Sequence, residues 1–364
     1  MNKTTCLNPK QSYSNIKENI ILIGAAGHQG KEYFNLLKDK YNFIALIDND
    51  YSSLEKIYDS KKYLLLKDIK DLNANIDFEI AIICLPHYLH KNITLSLLSS
   101  KKTIIKEKPL ALNYNEIKEY TNSMKIYSNI KLFTIVQRNF NPCFIEGKNN
   151  LKLIGKIYNF SYDYDLNIEN KTSGWRAEYN KSFGGVLIDM GYHVIDIIFS
   201  FFKEIISVSA INSFCYEEMK NENLEDSINI IMQFKNNISG VVNLNRHSHI
   251  KREIFIIRGE KGIIEIIPSQ ITVYDRKGNV IFLKKCSISQ DQMKLSMFNY
   301  YIKQKNDIKF LNEHFRHHSN IVFVIDKIYQ QLKNKRLIKN DFLDYHPLII
   351  KEENEKTQEE FNIN

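Results

Sequence analysis

Short apolar runs separated by amphipathic stretches fill the first third of the chain. Asn19–Gly24 (NIILIG), Asn42–Ile47 (NFIALI), Phe78–Leu85 (FEIAIICL) and Thr103–Lys106 are continuous segments of strand length. Helical patterns lie between them, KEYFNLLKD after the first run and a stretch through Leu98 after the third. Runs without polar alternation suit strands buried on both faces, so the alternation predicts an α/β fold with a parallel sheet covered by helices. Asn113 with Glu116 three residues on reads as the capping signal of the next helix. Past about residue 150 the pattern changes. Ile205–Phe214, Ser227–Phe234, Ile238–Asn245, Glu253–Arg258, Gly262–Ile267 and Gln270–Tyr274 follow with short polar turns, among them Asn236-Asn237 and Glu260-Lys261-Gly262. Such hairpin-linked runs predict a second, α+β domain with a large, mainly antiparallel open sheet. A last helix over about Asn320–Leu332 is expected to pack back across the boundary.

The first apolar run ends in glycines. Gly24, Ala25, Ala26, Gly27, His28, Gln29 and Gly30 stand between it and the first helical pattern. A strand that enters a glycine turn and then a helix N-terminus aims backbone N–H groups at a pyrophosphate. The spacing is GxxGxxG, one residue longer than the usual GxGxxG. The second run ends in Asp48, about twenty residues past the glycines, where a carboxylate binds a ribose 2′-hydroxyl. Asn49, Asp50 and Tyr51 follow, none of them a cation for a 2′-phosphate, so NAD(H) is expected in preference to NADP(H). Ligands of parallel sheets bind at the carboxyl ends of the strands. That adds Leu85, Pro86, His90, Glu107 and Lys108 to a cofactor set of Gly24, Ala26, Gly27, His28, Gln29, Gly30, Asp48 and Asn49. The bland alternative is an ordinary α/β turn built of small residues.

Gly184–Asp196 (GGVLIDMGYHVID) carries the candidate chemistry. Paired glycines open an apolar helix in which Asp189, His193 and Asp196 stand at i, i+4 and i+7, on one stripe of a regular α-helix. Ionisable groups are costly to bury without partners, so this stripe must face something polar. The reading is an active-site wall with His193 as a base held by Asp189 or a neighbour. Its alternative is a structural Asp–His pair inside the core. On the dyad reading, Asp189→Ala should cost less activity than His193→Ala.

With the glycine turn, Asp48, Glu107-Lys108-Pro109 and Gly184–Asp196 all in order, the chain resembles the glucose–fructose oxidoreductase/inositol dehydrogenase (Gfo/Idh/MocA) family over about residues 19–335. Pro86 and His90, Gln137-Arg138 before Phe140-Asn141-Pro142, and Trp175-Arg176 match as well. The extra glycine-loop residue departs from the family and resembles dihydrodipicolinate reductases. The resemblance implies hydride transfer between nicotinamide and a secondary alcohol carbon of a sugar, nucleotide sugar or cyclitol. Its catalytic set would be Lys108, Asp189 and His193, with Lys108 near the reacting carbon and His193 moving the proton. It also implies a Lys108-Pro109 bond that is often cis, and a homodimer or homotetramer. Arg138, Tyr162, Trp175, Arg176, Asp189, His193 and Arg246 are the candidate substrate contacts. Domain packing is the alternative for Trp175 and Arg176. Imine reduction or redox-assisted glycosidic cleavage would use the same scaffold, and a regulator that binds a nucleotide without chemistry is the rival of another class.

Composition narrows the field. A chain of 364 residues suits two domains, here expected as a polar lead-in at 1–18, a dinucleotide-binding domain at 19–140, a substrate-binding and oligomerisation domain at 141–335 and a tail at 336–364. Hydrophobic residues at 43% and charged ones at 25% are those of a globular protein. No uninterrupted apolar run approaches the about 18 residues of a membrane span. The net charge of +8 is spread along the chain without a nucleic-acid motif, which argues against nucleic acid and suits an anionic substrate. Five cysteines without a CxxC pair fit reduced thiols, hence a cytoplasmic setting. His247 with His249, and His314 with His317 and His318, have spacings that would permit a metal. Hydride transfer to nicotinamide needs none, so no metal is expected.

Overall fold

The structure, a computed structural model, describes residues 17–334 apart from 74 and 127–129. Most of the expected lead-in, with Cys6, and the expected tail therefore lie outside the described residues. The chain forms two compact units divided after Cys84.

In the first unit β1 (Asn19–Ile23) runs through the glycine turn into α1 (His28–Leu37). β2 (Asn42–Ile47), α2 (Tyr51–Ile57), β3 (Leu64–Leu66) and β4 (Ile80–Ile83) follow. The strands lie in the order β3-β2-β1-β4, every pair parallel. Ile20, Ile21, Leu22 and the whole of β4 are fully buried, the condition their unbroken apolar sequence predicts.

The second unit continues the parallel pattern with α3 (His90–Leu98), β5 (Thr103–Glu107), α4 (Tyr114–Ile126) and β6 (Lys131–Ile135), β5 and β6 pairing in parallel. α5 (Pro142–Asn149), β7 (Ile157–Asn167), α6 (Tyr179–Ser182) and α7 (Tyr192–Phe201) lead to β8 (Ile205–Ser213), α8 (Glu217–Asn221), β9 (Ser227–Phe234) and β10 (Ile238–Asn245). Then come β11 (His247–Gly259), β12 (Gly262–Ile267), β13 (Gln270–Asp275), β14 (Val280–Lys285), α9 (Gln290–Gln304) and α10 (Ile308–Lys333). Strands β7–β14 build an eight-stranded sheet in the order β14-β13-β12-β11-β7-β10-β9-β8. All its pairs are antiparallel except β7 with β10. The fold class is the one expected: parallel Rossmann-type strands, then a mainly antiparallel sheet.

On β9, Ile228, Ile230, Met232 and Phe234 are buried while Asn229, Ile231 and Gln233 are exposed, so the sheet has one packed face. Phe160, Phe199, Phe202 and Phe234 interlock there, with ring centroids 5.1–5.9 Å apart in the pairs that touch, and fix α7 against the sheet. Several elements exceed the expectation. β11 begins at His247 rather than Glu253, and α10 begins at Ile308 rather than Asn320. α10 reaches back as expected: Tyr114 N–H donates to Asp326 Oδ2 (3.2 Å) and Thr134 N–H to His314 Nε2 (3.0 Å). Ties of this kind join residues 85–140 to the later chain within the second unit. Among the described residues, Tyr179–Phe201 is long and apolar enough to cross a membrane by length and composition, its best 18-residue window having a mean hydropathy of 1.3, although polar residues interrupt it; 78% of that window is buried, as in a core helix.

Candidate active site and cofactor turn

The cofactor turn belongs to the first unit. Gly24 has φ 85°, in the left-handed region that glycine adopts without strain. A Cβ on Gly30 would stand 2.1 Å from the Gly24 carbonyl oxygen, so glycine lets α1 close onto the turn. Gly27 is the N-cap of α1 and offers no side-chain cap, which leaves the helix start to an anion. Asp48 Oδ2 accepts the Ala26 N–H at 2.9 Å and Oδ1 accepts the Asp50 N–H at 3.0 Å. The carboxylate thus clamps the turn, and each oxygen keeps a lone pair for a ribose hydroxyl. The Tyr58 hydroxyl donates to Ala25 O (2.8 Å), and burial, then the Asp48 charge, pushes that phenol up to about 12. His28 and Asn49 are exposed and Gln29 half-buried, with the Gln29 amide 3.3 Å from the His28 ring. The longer GxxGxxG loop therefore still has a tight turn, a close helix and an open helix start. These residues fit a dinucleotide.

The remaining candidates lie in the second unit. His90 is buried, Nε2 lying 2.8 Å from Leu85 O and Nδ1 3.4 Å from Pro109 O. Burial, then the charge of Lys106, holds it neutral well below its ordinary range, so it donates once, to Leu85. Both ring nitrogens face backbone carbonyls, so His90 ties the Leu85-Pro86 turn to the EKP segment. Glu107, half-buried, ends β5 in register with Ile135. Lys106, which the sequence reading passed over, is fully buried and donates to Leu110 O at 2.7 Å. Burial lowers its ammonium to about 7. The Lys108-Pro109 bond is cis, as the resemblance implied.

Lys108 and Asp189 meet across 81 residues. Lys108 Nζ lies 2.8 Å from both the backbone oxygen and Oδ1 of Asp189. Arg246 Nη2 reaches Oδ2 at 2.8 Å, and Arg176 Nε stands 3.8 Å from Oδ1. Burial opposes ionisation of Asp189, but Lys108, Arg246 and Arg176 win and hold its carboxyl well below the carboxylate range.

His193 is not part of that set. The expected Asp189–His193 pairing is corrected here, because both carboxylate oxygens are taken by cations. His193 Nδ1 is buried without a hydrogen-bond partner. Burial, then Lys108 and Arg138, holds the ring neutral, well below its ordinary range. The cause is local. Leu187–Gly191 is a single π-helical turn before α7 and Asp189 lies inside it, so the regular 3.6-residue spacing behind the expected pairing does not hold there. The expected stripe is therefore broken. Asp196, 1% exposed, accepts instead from Asn139 Nδ2 (2.6 Å) and pairs with His317 Nε2 (2.7 Å).

Arg138 pairs with Glu253 and lies 4.5 Å from the centre of the Tyr164 ring. Tyr162 is fully buried and donates to Glu253 Oε1 at 2.5 Å, so it braces this pair and offers no surface. Trp175 packs edge-on against His87 (4.6 Å) and carries the exposed Arg176 on its face at 4.3 Å. His87, another residue unread in the sequence, is buried beside Lys108 and Asp189, and burial followed by Lys108 lowers it to about 3. His87, Arg176, Asp189 and Arg246 line one small enclosed cavity with Gly184 and Glu225.

Of the histidines with metal-compatible spacing, His247 lies between Asp226 Oδ1 (3.1 Å) and Ile168 O (2.7 Å), while His249 is exposed. His318 Nδ1 is 3.1 Å from the Tyr192 hydroxyl. Asp196, His317 and His318 bring ligand atoms within 4.8 Å of one another, and protein hydrogen bonds engage all three residues.

A glycine turn at the end of a parallel strand, an acid that clamps it and a half-buried Lys–Asp–Arg group suit a dinucleotide-dependent enzyme of two folds joined in one chain. Two family descriptions match it: "Oxidoreductase family, NAD-binding Rossmann fold" at residues 18–133 and "GFO/IDH/MocA C-terminal domain" at 152–265. The chain belongs to the Gfo/Idh/MocA family of NAD-binding oxidoreductases. It is 25% identical over 305 residues to a Saccharomyces cerevisiae protein, covering 79% of this chain and 82% of that one. It is also 25% identical over 224 residues to levoglucosan dehydrogenase of Pseudarthrobacter phenanthrenivorans, covering 54% of this chain and 57% of that relative. Levoglucosan dehydrogenase in complex with NADH and levoglucosan shares the fold, with a TM-score of 0.75 at 19% identity over 87% of this chain and 98% of that one.

Proposed function

We propose that this protein oxidises or reduces a secondary alcohol/ketone carbon of a carbohydrate, nucleotide sugar or cyclitol. The observation that carries the reading is the ammonium of Lys108, fixed by Asp189 beside the neutral ring of His193. Bound NAD(H) would supply the hydride acceptor or donor, held by the Gly24–Gly30 turn and Asp48. Lys108 donates a charged hydrogen bond to the substrate oxygen and stabilises its alkoxide character, the electrostatic contribution that is often largest in such chemistry. Asp189 supplies the counter-charge that orients Lys108. His193, neutral at physiological pH, accepts the hydroxyl proton during oxidation and returns it during reduction. Arg176, exposed and braced on Trp175, contacts the distal part of the substrate. The named relatives that act on sugars and cyclitols support the substrate class. Exposed Ile231 and Val241, opposite each other on β9 and β10, support a homo-oligomer built through the open sheet face.

The test is turnover of NAD with free aldoses, anhydrosugars, inositols and nucleotide sugars, followed through the reduced nicotinamide. Turnover that disappears in Lys108→Ala while NADH still binds is expected. NADH binding with no turnover on any of these classes would overturn the reading.

A further inference from the structure

The helix that carries Asp189 and His193 begins without a cap of its own. Its first four N–H groups have no partner inside the helix and must be met from elsewhere. One residue meets three of them. Gly185 N–H donates to Glu225 Oε2 (3.1 Å), Val186 N–H to the Glu225 backbone oxygen (2.7 Å) and Leu187 N–H to Glu225 Oε1 (2.9 Å). The fourth, Ile188 N–H, donates to the Tyr329 hydroxyl at 3.3 Å. That hydroxyl in turn donates to Glu225 Oε1 at 2.9 Å. The first bond inside the helix, Asp189 N–H to Gly185 O at 3.2 Å, starts where this set ends.

The paired glycines follow from the same contacts. A Cβ on Gly185 would lie 2.1 Å from the Glu225 carbonyl oxygen, and one on Gly184 would lie 1.9 Å from the Tyr329 hydroxyl. Glu225 is 2% exposed, and its carboxylate engages N–H and O–H donors rather than a cation. Burial pushes that carboxyl up, and the donors at Leu187, Tyr329 and Gly185 pull it down.

We propose that Glu225 and Tyr329 are positioning residues for the reaction. Together they hold the start of the π turn, and through it they set the Asp189 carboxylate against Lys108 and the His193 ring beside it. The cap ends at Ile188, Asp189 follows inside the wide turn and His193 stands two residues after it, so both side chains take their direction from the residues that Glu225 and Tyr329 hold. This inference rests on the proposed chemistry only for its kinetic arm.

The experiment compares Tyr329→Phe and Glu225→Gln with the parent, full-length and NADH-bound. Three measurements are made: amide hydrogen exchange across 185–188, the imidazole resonances of His193 over a pH series, and kcat with NADH affinity. A hydrogen bond to a charged acceptor is strong, so exchange should quicken about 10- to 100-fold and kcat should fall by a similar factor. NADH affinity should stay unchanged, and the titration of His193 should move. Faster exchange with His193 and kcat unaltered would make the cap merely structural and overturn the proposal, and so would unaltered exchange. Tyr329→Phe decides alone if Glu225→Gln fails to fold. A parent without turnover would count against the substrate reading, while exchange and the His193 resonances would still judge the cap.

Discussion

Replacing Asp189 by Asn tests the central group most directly. It leaves the shape of the side chain and removes one charge. The lost carboxylate serves Lys108 and Arg246 at 2.8 Å each and Arg176 at 3.8 Å, with the side chains of Lys108 and Arg246 only 11% and 7% exposed. At an effective dielectric near 20, each 2.8 Å pair is worth roughly 6 kcal/mol of Coulomb attraction, much of it offset by desolvation. What remains after deletion is the cost of buried cations without a partner, about 3–5 kcal/mol. For a chain of 364 residues, with about 2.1 cal/mol/K of unfolding entropy per residue, that lowers Tm by roughly 4–7 °C.

The pH dependence has a definite sign. The carboxyl of Asp189 is lowered in the folded state, so its contribution is present above the unfolded carboxylate value of about 4 and is lost as pH falls through the folded value. Parent and Asp189→Asn should therefore differ by a constant amount near neutrality and converge in acid. Adding Arg246→Met to Asp189→Asn should recover at least about 1 kcal/mol, because it removes one of the stranded cations. Thermal and urea unfolding of the three proteins measures all of this. An Asp189→Asn protein melting within about 2 °C of the parent would refute the reasoning, since 3 kcal/mol cannot vanish into so small a shift. The Asp–His dyad of the sequence reading makes its claim about activity, Asp189→Ala costing less than His193→Ala, so turnover of those two variants separates it from the cation-bound aspartate.

Lys108→Ala should lower kcat about 10²- to 10⁴-fold with NADH affinity retained, as when a positioned acid–base or oxyanion group is removed; isothermal titration beside turnover checks both. NADH should bind at least about tenfold tighter than NADPH, and Asp48→Ser with Asn49→Arg should narrow the gap. That double variant should bind both cofactors more weakly than a pure specificity change would, because Asp48 also holds the Ala26 N–H; dissociation constants for the four combinations settle it. His87, His90, His193, His314 and His318 are all held below their ordinary range by burial. Each contributes stability that is full above its unfolded value of about 6.5 and is lost as pH falls toward its folded value, at up to about 1.4 kcal/mol per pH unit. A urea midpoint that is the same at pH 7.5 and pH 5 would contradict this.

The parts of the fold legible in the sequence are those where burial imposes a single-residue pattern. β1, β2 and β4 read as strands because both faces are covered, and β9 and β10 because one face is. β14 did not: every side chain of Val280–Lys285 except a half-buried Phe282 is exposed, so no apolar contrast marks it. β7 alternates, but its tyrosines and aspartates are polar enough at the surface to hide the repeat. The site divides along the same line. Motif spacing singled out Lys108, Asp189 and His193, and the structure brings the first two together, but the Asp189–His193 pair expected from 3.6 residues per turn does not form: Asp189 lies in a π turn and gives its oxygens to cations. What replaced that partnership comes from far along the chain. Lys108 lies 81 residues and Arg246 57 residues from Asp189, and Glu225 stands 38 residues from the Leu187 N–H that it receives. No local period encodes such pairs. The paired glycines were their one visible trace: they open the helix without a side-chain cap, and the space they leave is filled by the Glu225 backbone and the Tyr329 hydroxyl. A helix that starts on two glycines, with no Ser, Thr, Asn or Asp beside them to cap it, must take its cap from another segment. In this chain that segment decides where the charged residues of the helix point.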